Sequence, residues 1–244
     1  MENILELKNV GFSATEGKIV EEISFGILAQ KTTAIVGPSG CGKSTVLKLA
    51  AGLLVPNQGE VLYKGKNIAL MSRSENLDYR QNSAFVFQDS ALWANQDLYQ
   101  ILELPLRIHF PGMNKYDRAK RIKEVTAEVG YKKELDIRPS RLSMGEQKLI
   151  AFARAMLCKP SLLYLDEWTE SLDEVSADKL IGIVKKKQND GATIAFVCHD
   201  MRIIKDIADY VIVIVEGKVV FQSTKEQIVN DPELSNYLRM GMAL

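Results

Sequence analysis

A glycine-rich motif near the start of the chain constrains the fold more than any other feature of the sequence. It fits the pattern G-x-x-x-x-G-K-[ST] and lies in one continuous run, Gly37-Pro38-Ser39-Gly40-Cys41-Gly42-Lys43-Ser44-Thr45. An apolar, strand-like segment precedes this run and a helical pattern follows it. Glycines in such a turn let backbone N–H groups converge on an anion, and the helix start adds its positive dipole end. The motif therefore predicts a phosphate-binding loop between a strand and a helix.

Three side chains of this loop have predicted chemical properties. Lys43 can reach terminal phosphates as a point charge, and the Ser44 hydroxyl can ligate Mg²⁺. Cys41 lies beside Lys43 and a helix start, which should lower the pKa of its thiol. We therefore expect thiol-alkylating reagents to inhibit activity and the bound phosphate ligand to protect against them.

Acidic residues follow a second apolar strand, at residues 162–165. Because ligands bind at the carboxyl edge of a parallel sheet, Asp166 could hold Mg²⁺ through water and Glu167 could polarise an attacking water. His199 follows another apolar strand, residues 193–197, and is expected to face a terminal phosphate. A strand followed by acids is also the ordinary start of a loop, so the phosphate loop is what favours the catalytic interpretation.

Apolar strands alternate with longer helical stretches, which favours an α/β fold with a mostly parallel sheet. Weaker alternation at residues 4–8 and 23–28 suits an N-terminal antiparallel β part. Residues 211–221 read as a hairpin with a Glu216-Gly217 turn. The strand signal stops between about 89 and 160, where residues 114–129 and 143–158 read as helices. The predicted fold is thus a P-loop NTPase (RecA-like) core with an inserted helical subdomain.

These patterns predict a single domain over residues 1–244. It comprises a nucleotide-binding α/β core (1–88 and 161–225), a helical subdomain (89–160) and a helical tail (226–244).

Charge and cysteine usage exclude several classes of protein. The 244 residues include 31 Lys and Arg against 31 Asp and Glu, so bulk attraction to nucleic acid or anionic lipid is not expected. No apolar run approaches the roughly 18 residues that span a bilayer. Cys41, Cys158 and Cys198 are odd in number and widely spaced, which fits neither a disulfide framework nor a zinc site. We therefore expect a cytosolic chain with no nucleic-acid partner.

A six-residue segment, Leu142-Ser143-Met144-Gly145-Glu146-Gln147, opens the second predicted helix. Locally, Ser143 and Glu146 form a capping box, which alone indicates no function. In order with the phosphate loop, Gln88, Asp166-Glu167 and His199, however, the set resembles the ATPase subunit of ABC transporters. The resemblance covers essentially the whole chain up to about residue 225.

That resemblance implies ATP and Mg²⁺ as cofactors and a homodimer that closes around two ATP molecules. It implies that residues 142–147, the signature segment of the family, contact the ATP held by the second subunit. The contacting residues would be Ser143, Met144, Gly145 and Glu146. Gln88 would ligate Mg²⁺ together with Ser44 and Asp166. Gln88 would also sense a membrane permease. Glu167 and His199 would be catalytic, and Asp173 would belong to a loop that spans the dimer.

Several positions depart from the family pattern. The departures within and after the signature and acidic motifs are Met144 for Gly, Glu146 for Gln, Leu149 for Arg and Trp168 for Pro. Ala14 occupies the position of an adenine-stacking aromatic, so Phe12 is the candidate substitute. These changes bear on turnover and base stacking more than on nucleotide binding, so we expect hydrolysis.

The segment after Gln88 resembles a narrower group. Residues 87–93 and 104–107 look like the corresponding parts of ATPases of Mla-type phospholipid transporters, which work with permeases and MCE-domain lipid-binding proteins. The resemblance implies those partners, leaves open a small regulatory subunit, and implies a peripheral position on the cytoplasmic face of the inner membrane.

Two alternatives remain open. The first is an ABC transporter ATPase for another cargo, such as amino acids, metals or lipoproteins. The second is a soluble ABC-type module that mainly binds a partner.

Overall fold

The computed structural model describes residues 2–15 and 17–230. Its strands are β1 (Asn3–Ala14), β2 (Gly17–Leu28), β3 (Thr32–Val36), β4 (Gln58–Tyr63), β5 (Lys66–Asn67), β6 (Ser83–Val86), β7 (Leu162–Asp166), β8 (Thr193–Val197), β9 (Tyr210–Val215) and β10 (Lys218–Thr224). Its α-helices are α1 (Lys43–Ala50), α2 (Arg73–Asn82), α3 (Leu98–His109), α4 (Lys115–Val129), α5 (Met144–Met156), α6 (Glu174–Asn189), α7 (Met201–Ile207) and α8 (Lys225–Asn230). Within the described ranges, no helix combines the length and apolarity needed to cross a membrane.

The chain divides into two compact units. The first is Met1–Asn76 with Gly191–Leu244, and the second is Leu77–Asp190. The predicted helical subdomain, residues 89–160, lies inside the second unit, which also takes in β6, β7 and α6. Of the predicted helical tail, α8 covers the start, and residues 231–244 lie outside the described part of the chain.

An antiparallel sheet with the strand order β2-β1-β4-β5 forms one part of the first unit. In the first half of β1 the alternate residues Leu5 and Leu7 are buried, and Leu7 pairs with Phe25 of β2. Burial of every second residue is what a strand with one face in a core requires. The predicted N-terminal antiparallel β part is therefore confirmed, and its strands are longer than the sequence pattern indicated.

Parallel strands form the other part of the first unit. Strand β3 pairs in parallel with β8 on one side and with β9 on the other, and β10 runs antiparallel to β9. Every residue of β3 and β8 is buried, as expected for strands covered on both faces. Glu216 and Gly217 have φ angles of 48° and 74°, and they form the predicted turn of the β9–β10 hairpin.

The second unit combines the parallel pair β6–β7 with three helices, α3, α4 and α5, that pack against one another. Asn114 caps α4 by accepting a hydrogen bond from the Asp117 N–H (2.9 Å), and Gly130 ends the helix at φ 88°. The helix predicted over residues 114–129 therefore forms, with Asn114 as its cap rather than its first helical residue. The second predicted helix also forms, but it ends at Met156 rather than Cys158.

Trp168 is fully buried, and its ring centroid lies 5.9 Å from that of Phe152 on α5. An aromatic pair at this separation adds to the free energy gained from burying both rings. Trp168, which stands where the family pattern has Pro, therefore adds a large side chain to the core directly after Glu167.

We expect Trp168→Ala to lower the free energy of unfolding by about 3–5 kcal/mol, because it leaves a cavity against Phe152. Denaturant titration followed by circular dichroism measures the loss. Tyr116→Ala is the matched control, since Tyr116 is 77% exposed on α4 and its removal should cost little. Equal losses in the two variants would contradict the assignment of Trp168 to the core.

Candidate functional site

The glycine-rich loop runs from the end of β3 to the start of α1, as predicted. The Lys43 side chain folds back over the loop, and its Nζ donates hydrogen bonds to the carbonyl oxygens of Gly37 (3.0 Å) and Pro38 (2.7 Å). An ammonium group has three donors, so one N–H remains for an anion in addition to these two bonds. The first turn of α1 carries no acidic residue, which leaves the positive end of its dipole for a phosphate group.

The turn of the β9–β10 hairpin braces this loop. The Gly217 N–H donates to the Cys41 carbonyl (3.1 Å), and the Gly217 carbonyl accepts from the Glu21 N–H (2.9 Å). A Cβ at Gly217 would lie 2.4 Å from the Ile19 carbonyl oxygen, and a Cβ at Gly37 would lie 2.0 Å from that of Ile214. Only glycine fits at both positions. Our sequence reasoning recognised Gly217 as a turn residue and missed its contact with the phosphate loop.

The predicted lowering of the Cys41 pKa is wrong. The residue is 8% exposed, and burial raises the pKa of its thiol, while the Lys43 charge and backbone hydrogen bonds offset only part of that effect. Its Sγ lies 2.9 Å from the ideal Cβ position at Gly37, so the thiol lies against the loop backbone. A sequence places Cys41 beside a cation and a helix start, but it does not show that the thiol is buried.

In the second unit, Asp166 ends β7 and is fully buried, and Glu167 is 8% exposed. Glu167 has a φ of 43° although it is not a glycine. Such a backbone costs of order 1–3 kcal/mol and is concentrated at functional sites. The Glu170 N–H donates to the Glu167 carbonyl (3.2 Å), which closes a tight turn after the strand.

The amide of Gln88 is oriented by an acidic neighbour. Its Nε2 donates to Glu170 Oε2 (3.1 Å), so the orientation leaves Oε1 as the acceptor of the amide. The predicted magnesium ligands, Ser44, Gln88 and Asp166, all offer oxygen, which Mg²⁺ prefers. The described residues contain no group of three or more His, Cys, Asp or Glu that could hold a metal. Binding of Mg²⁺ by these three residues stays a prediction.

The start of α5 has the geometry of a capping box. The Ser143 Oγ accepts from the Glu146 N–H (3.2 Å), and the Glu146 carboxylate accepts from the Ser143 N–H (3.0 Å). Lys133 forms an ion pair with Glu146 (2.6 Å) and holds the pKa of this carboxyl below its usual value. Glu146 therefore has a structural role. A Gln at this position could form the capping box but not the ion pair with Lys133. Met144 is 71% exposed, and a Cβ at Gly145 would lie 3.1 Å from the Ser171 carbonyl oxygen.

The remaining predicted site residues lie in three places. Asp173 caps α6 by accepting hydrogen bonds from the Ser176 N–H (2.9 Å) and Oγ (2.8 Å). His199 is exposed and lies between β8 and α7 in the first unit. Phe12 is half-buried in β1, and Ala14 is exposed at the end of the same strand. The roles of these residues stay predictions.

The phosphate loop between β3 and α1, on the parallel strands β9-β3-β8, defines the chain as a P-loop NTPase. A family model described as ABC transporter matches residues 20–170, more than half of the chain, and the protein belongs to that family.

Relatives and solved structures agree with this family. The chain is 32% identical to the intermembrane phospholipid transport system ATP-binding protein MlaF of Haemophilus influenzae, over 96% of this chain and 88% of that protein. It is also 32% identical to the L-cystine import ATP-binding protein TcyC of Bacillus subtilis, over 94% of each. A solved dimer of the ATP-binding cassette MJ0796 with ADP and Pi superposes with a TM-score of 0.84 at 28% identity, covering 90% of this chain and 98% of that one. The chain is thus an ATPase subunit of an ABC transporter.

We expect Gly217→Ala to weaken ATP binding by about tenfold or more, because the turn must shift away from Ile19 and release the Cys41 carbonyl. Gly65→Ala is a closely matched control, since Gly65 has a φ of 75° and open space around its Cβ position. It should cost about 1 kcal/mol of stability and leave ATP affinity unchanged. Titration with a fluorescent ATP analogue measures the affinities, and equal weakening in both variants would refute the bracing role.

Cys41 should be alkylated at pH 7.5 at least about tenfold more slowly than a free cysteine, because the buried thiol holds little thiolate. The rate should rise with pH through and above 9, since burial raises the pKa and only the thiolate reacts. Peptide mass spectrometry after timed iodoacetamide treatment measures it, with the denatured chain as the reference for full reactivity. Rapid, pH-independent labelling of the folded protein would contradict the burial.

Proposed function

We propose that this chain hydrolyses ATP to drive a phospholipid transporter with a membrane permease and an MCE-domain protein. The observation that carries the proposal is the segment after Gln88, which resembles Mla-type ATPases and lies in a chain similar to MlaF over nearly its full length. In the structure, Trp93 lies in this segment and is 45% exposed. Ile108 directly follows residues 104–107 and is 49% exposed. The chain would then work at the cytoplasmic face of the inner membrane.

Amino-acid import is the second candidate. The specific observation that favours it is the similarity to TcyC, which equals the similarity to MlaF in identity and covers nearly as much of the chain. The phosphate loop and the turn that carries Glu167 would bind and hydrolyse ATP in the same way for either cargo.

Binding of ATP is assigned to the loop from Gly37 to Thr45. Its N–H groups and the start of α1 would surround the phosphates, and Lys43 would direct its remaining N–H to the terminal phosphates. Phe12 would contact the adenine. Ser44, Gln88 and Asp166 would hold Mg²⁺, which when bound neutralises charge on the phosphates.

Hydrolysis is assigned to Glu167 and His199. Glu167 is nearly buried in a strained turn directly after β7, and its carboxylate would orient and polarise the attacking water. The His199 imidazole would hydrogen-bond the terminal phosphate as charge develops on it.

A second copy of the chain would complete each site. The exposed start of α5, with Met144 and the Ser143 cap, offers N–H groups at a helix start for the partner's ATP. Val175, two residues after Asp173, is 80% exposed, so the start of α6 also has apolar surface to bury against that copy. ATP would bridge the two chains symmetrically and its hydrolysis would release them.

Glu167→Gln should abolish hydrolysis and preserve ATP binding, because the amide keeps the shape of the side chain but cannot act as a base. Phosphate release and binding of a fluorescent ATP analogue measure the two properties. Glu128→Gln, on the exposed face of α4, is the control and should turn over like the parent chain. Unchanged turnover in Glu167→Gln would refute the assignment.

The cargo is tested by mild extraction of the native complex from membranes. Recovery of a permease with an MCE-domain protein and bound phospholipid supports lipid transport. Recovery of a periplasmic solute-binding protein instead supports amino-acid import, and ATPase activity that never depends on a membrane partner supports a soluble module.

A further inference from the structure

A buried lysine lies in the middle of α5. Lys148 is 3% exposed, although lysine is among the residues least often buried. Its Nζ donates hydrogen bonds to the backbone carbonyls of Phe87 (3.4 Å) and Gln88. Burial of an ammonium group is costly unless such acceptors surround it, so the position of this side chain is tightly defined.

The two carbonyls that accept hydrogen bonds from Lys148 lie directly after the end of β6. Strand β6 stops at Val86, so Phe87 and Gln88 have left the strand ladder. Beyond them the backbone is strained, because Ser90 and Ala91 have φ angles of 63° and 44° without being glycine. The Ser90 N–H donates to the Phe87 carbonyl (3.1 Å), which Lys148 also contacts. This segment, residues 87–91, therefore needs support from outside its own backbone.

Helix α5 supplies that support at a second point. The Arg154 guanidinium donates to the carbonyls of Ala91 (2.6 Å) and Ser90 (3.1 Å) and lies 5.7 Å from the centre of the Trp93 ring. Two cations of one helix thus hold both ends of segment 87–91. The same helix begins at the Ser143 cap.

Carboxylates surround the Lys148 ammonium within the second unit. Burial lowers the pKa of the Lys148 ammonium, and the charges of four carboxylates, Glu170, Asp166, Asp89 and Glu167, offset part of that effect. Glu170 also accepts the hydrogen bond from the Gln88 amide. Lys148 therefore holds the backbone of Gln88 and balances the charge of the acid that orients its side chain.

We propose that Lys148 is a positioning residue that fixes Gln88 relative to the helix carrying the signature segment. Movement of the start of α5 would then be passed to Gln88 through the Lys148 hydrogen bonds. The inference deepens the proposed function and rests on it for its consequence in turnover.

The test compares Lys148→Met, Lys148→Arg and the exposed control Lys120→Met in the full-length chain. Methionine keeps an aliphatic stem and removes all three donors, whereas arginine keeps charge and donors. In Lys148→Met we expect kcat to fall by about 10- to 100-fold and half-activation to need more Mg²⁺. ATP affinity without Mg²⁺ should stay within about threefold, because the residues that bind the phosphates are unchanged.

Hydrogen exchange gives a readout independent of turnover. The Ser90 amide should exchange about tenfold faster or more in Lys148→Met, because its acceptor carbonyl is no longer held. The amides of α4 should be unaffected. Lys148→Arg should recover most of the kcat and the slow exchange, and Lys120→Met should match the parent chain in both.

Three results would overturn the proposal. They are parental exchange and kcat in Lys148→Met, faster exchange throughout the second unit, and a Lys148→Arg variant as impaired as Lys148→Met. If the parent chain itself lacks ATPase activity, the proposed function fails, and the local exchange at residues 88–91 still decides whether Lys148 positions the segment.

Discussion

The interaction on which the first unit depends is the hydrogen bonding of the Lys43 ammonium to the carbonyls at the start of its own loop. It closes the loop before any ligand arrives and keeps a positive charge inside it. The β9–β10 hairpin supports that shape, since Gly37 closely approaches the Ile214 carbonyl and the Gly217 N–H donates to the Cys41 carbonyl. An anion site that is already closed in this way costs less reorganisation on binding.

The second unit is organised in a comparable way around α5. One helix begins at a capping box, holds segment 87–91 through Lys148 and Arg154, and packs Phe152 on the tryptophan that follows Glu167. Residues far apart in sequence are thereby fixed to one rigid element. Such an arrangement lets a small displacement of the helix reach several functional segments together.

Much of this was predictable because the signals are local. The phosphate loop, the helix predicted over residues 114–129 and the Glu216-Gly217 turn depend on residues within a few positions of one another, and each forms as expected. What could not be predicted depends on distant chain segments. The second role of Gly217 and the acceptors of Lys148 come from segments far from those residues in sequence, and the burial of the Cys41 thiol depends on the folded shape of its loop. The core role of Trp168 likewise depends on α5.

The two tryptophans of this chain occupy very different surroundings, and this gives the protein its own optical reporters. Trp168 is sealed in the core beside Glu167, whereas Trp93 is 45% exposed beside Arg154 and close in sequence to Gln88. Their fluorescence should therefore separate into a blue-shifted and a red-shifted component. Conformational change near Glu167 and near segment 87–91 can thus be followed in the same sample without attaching a dye.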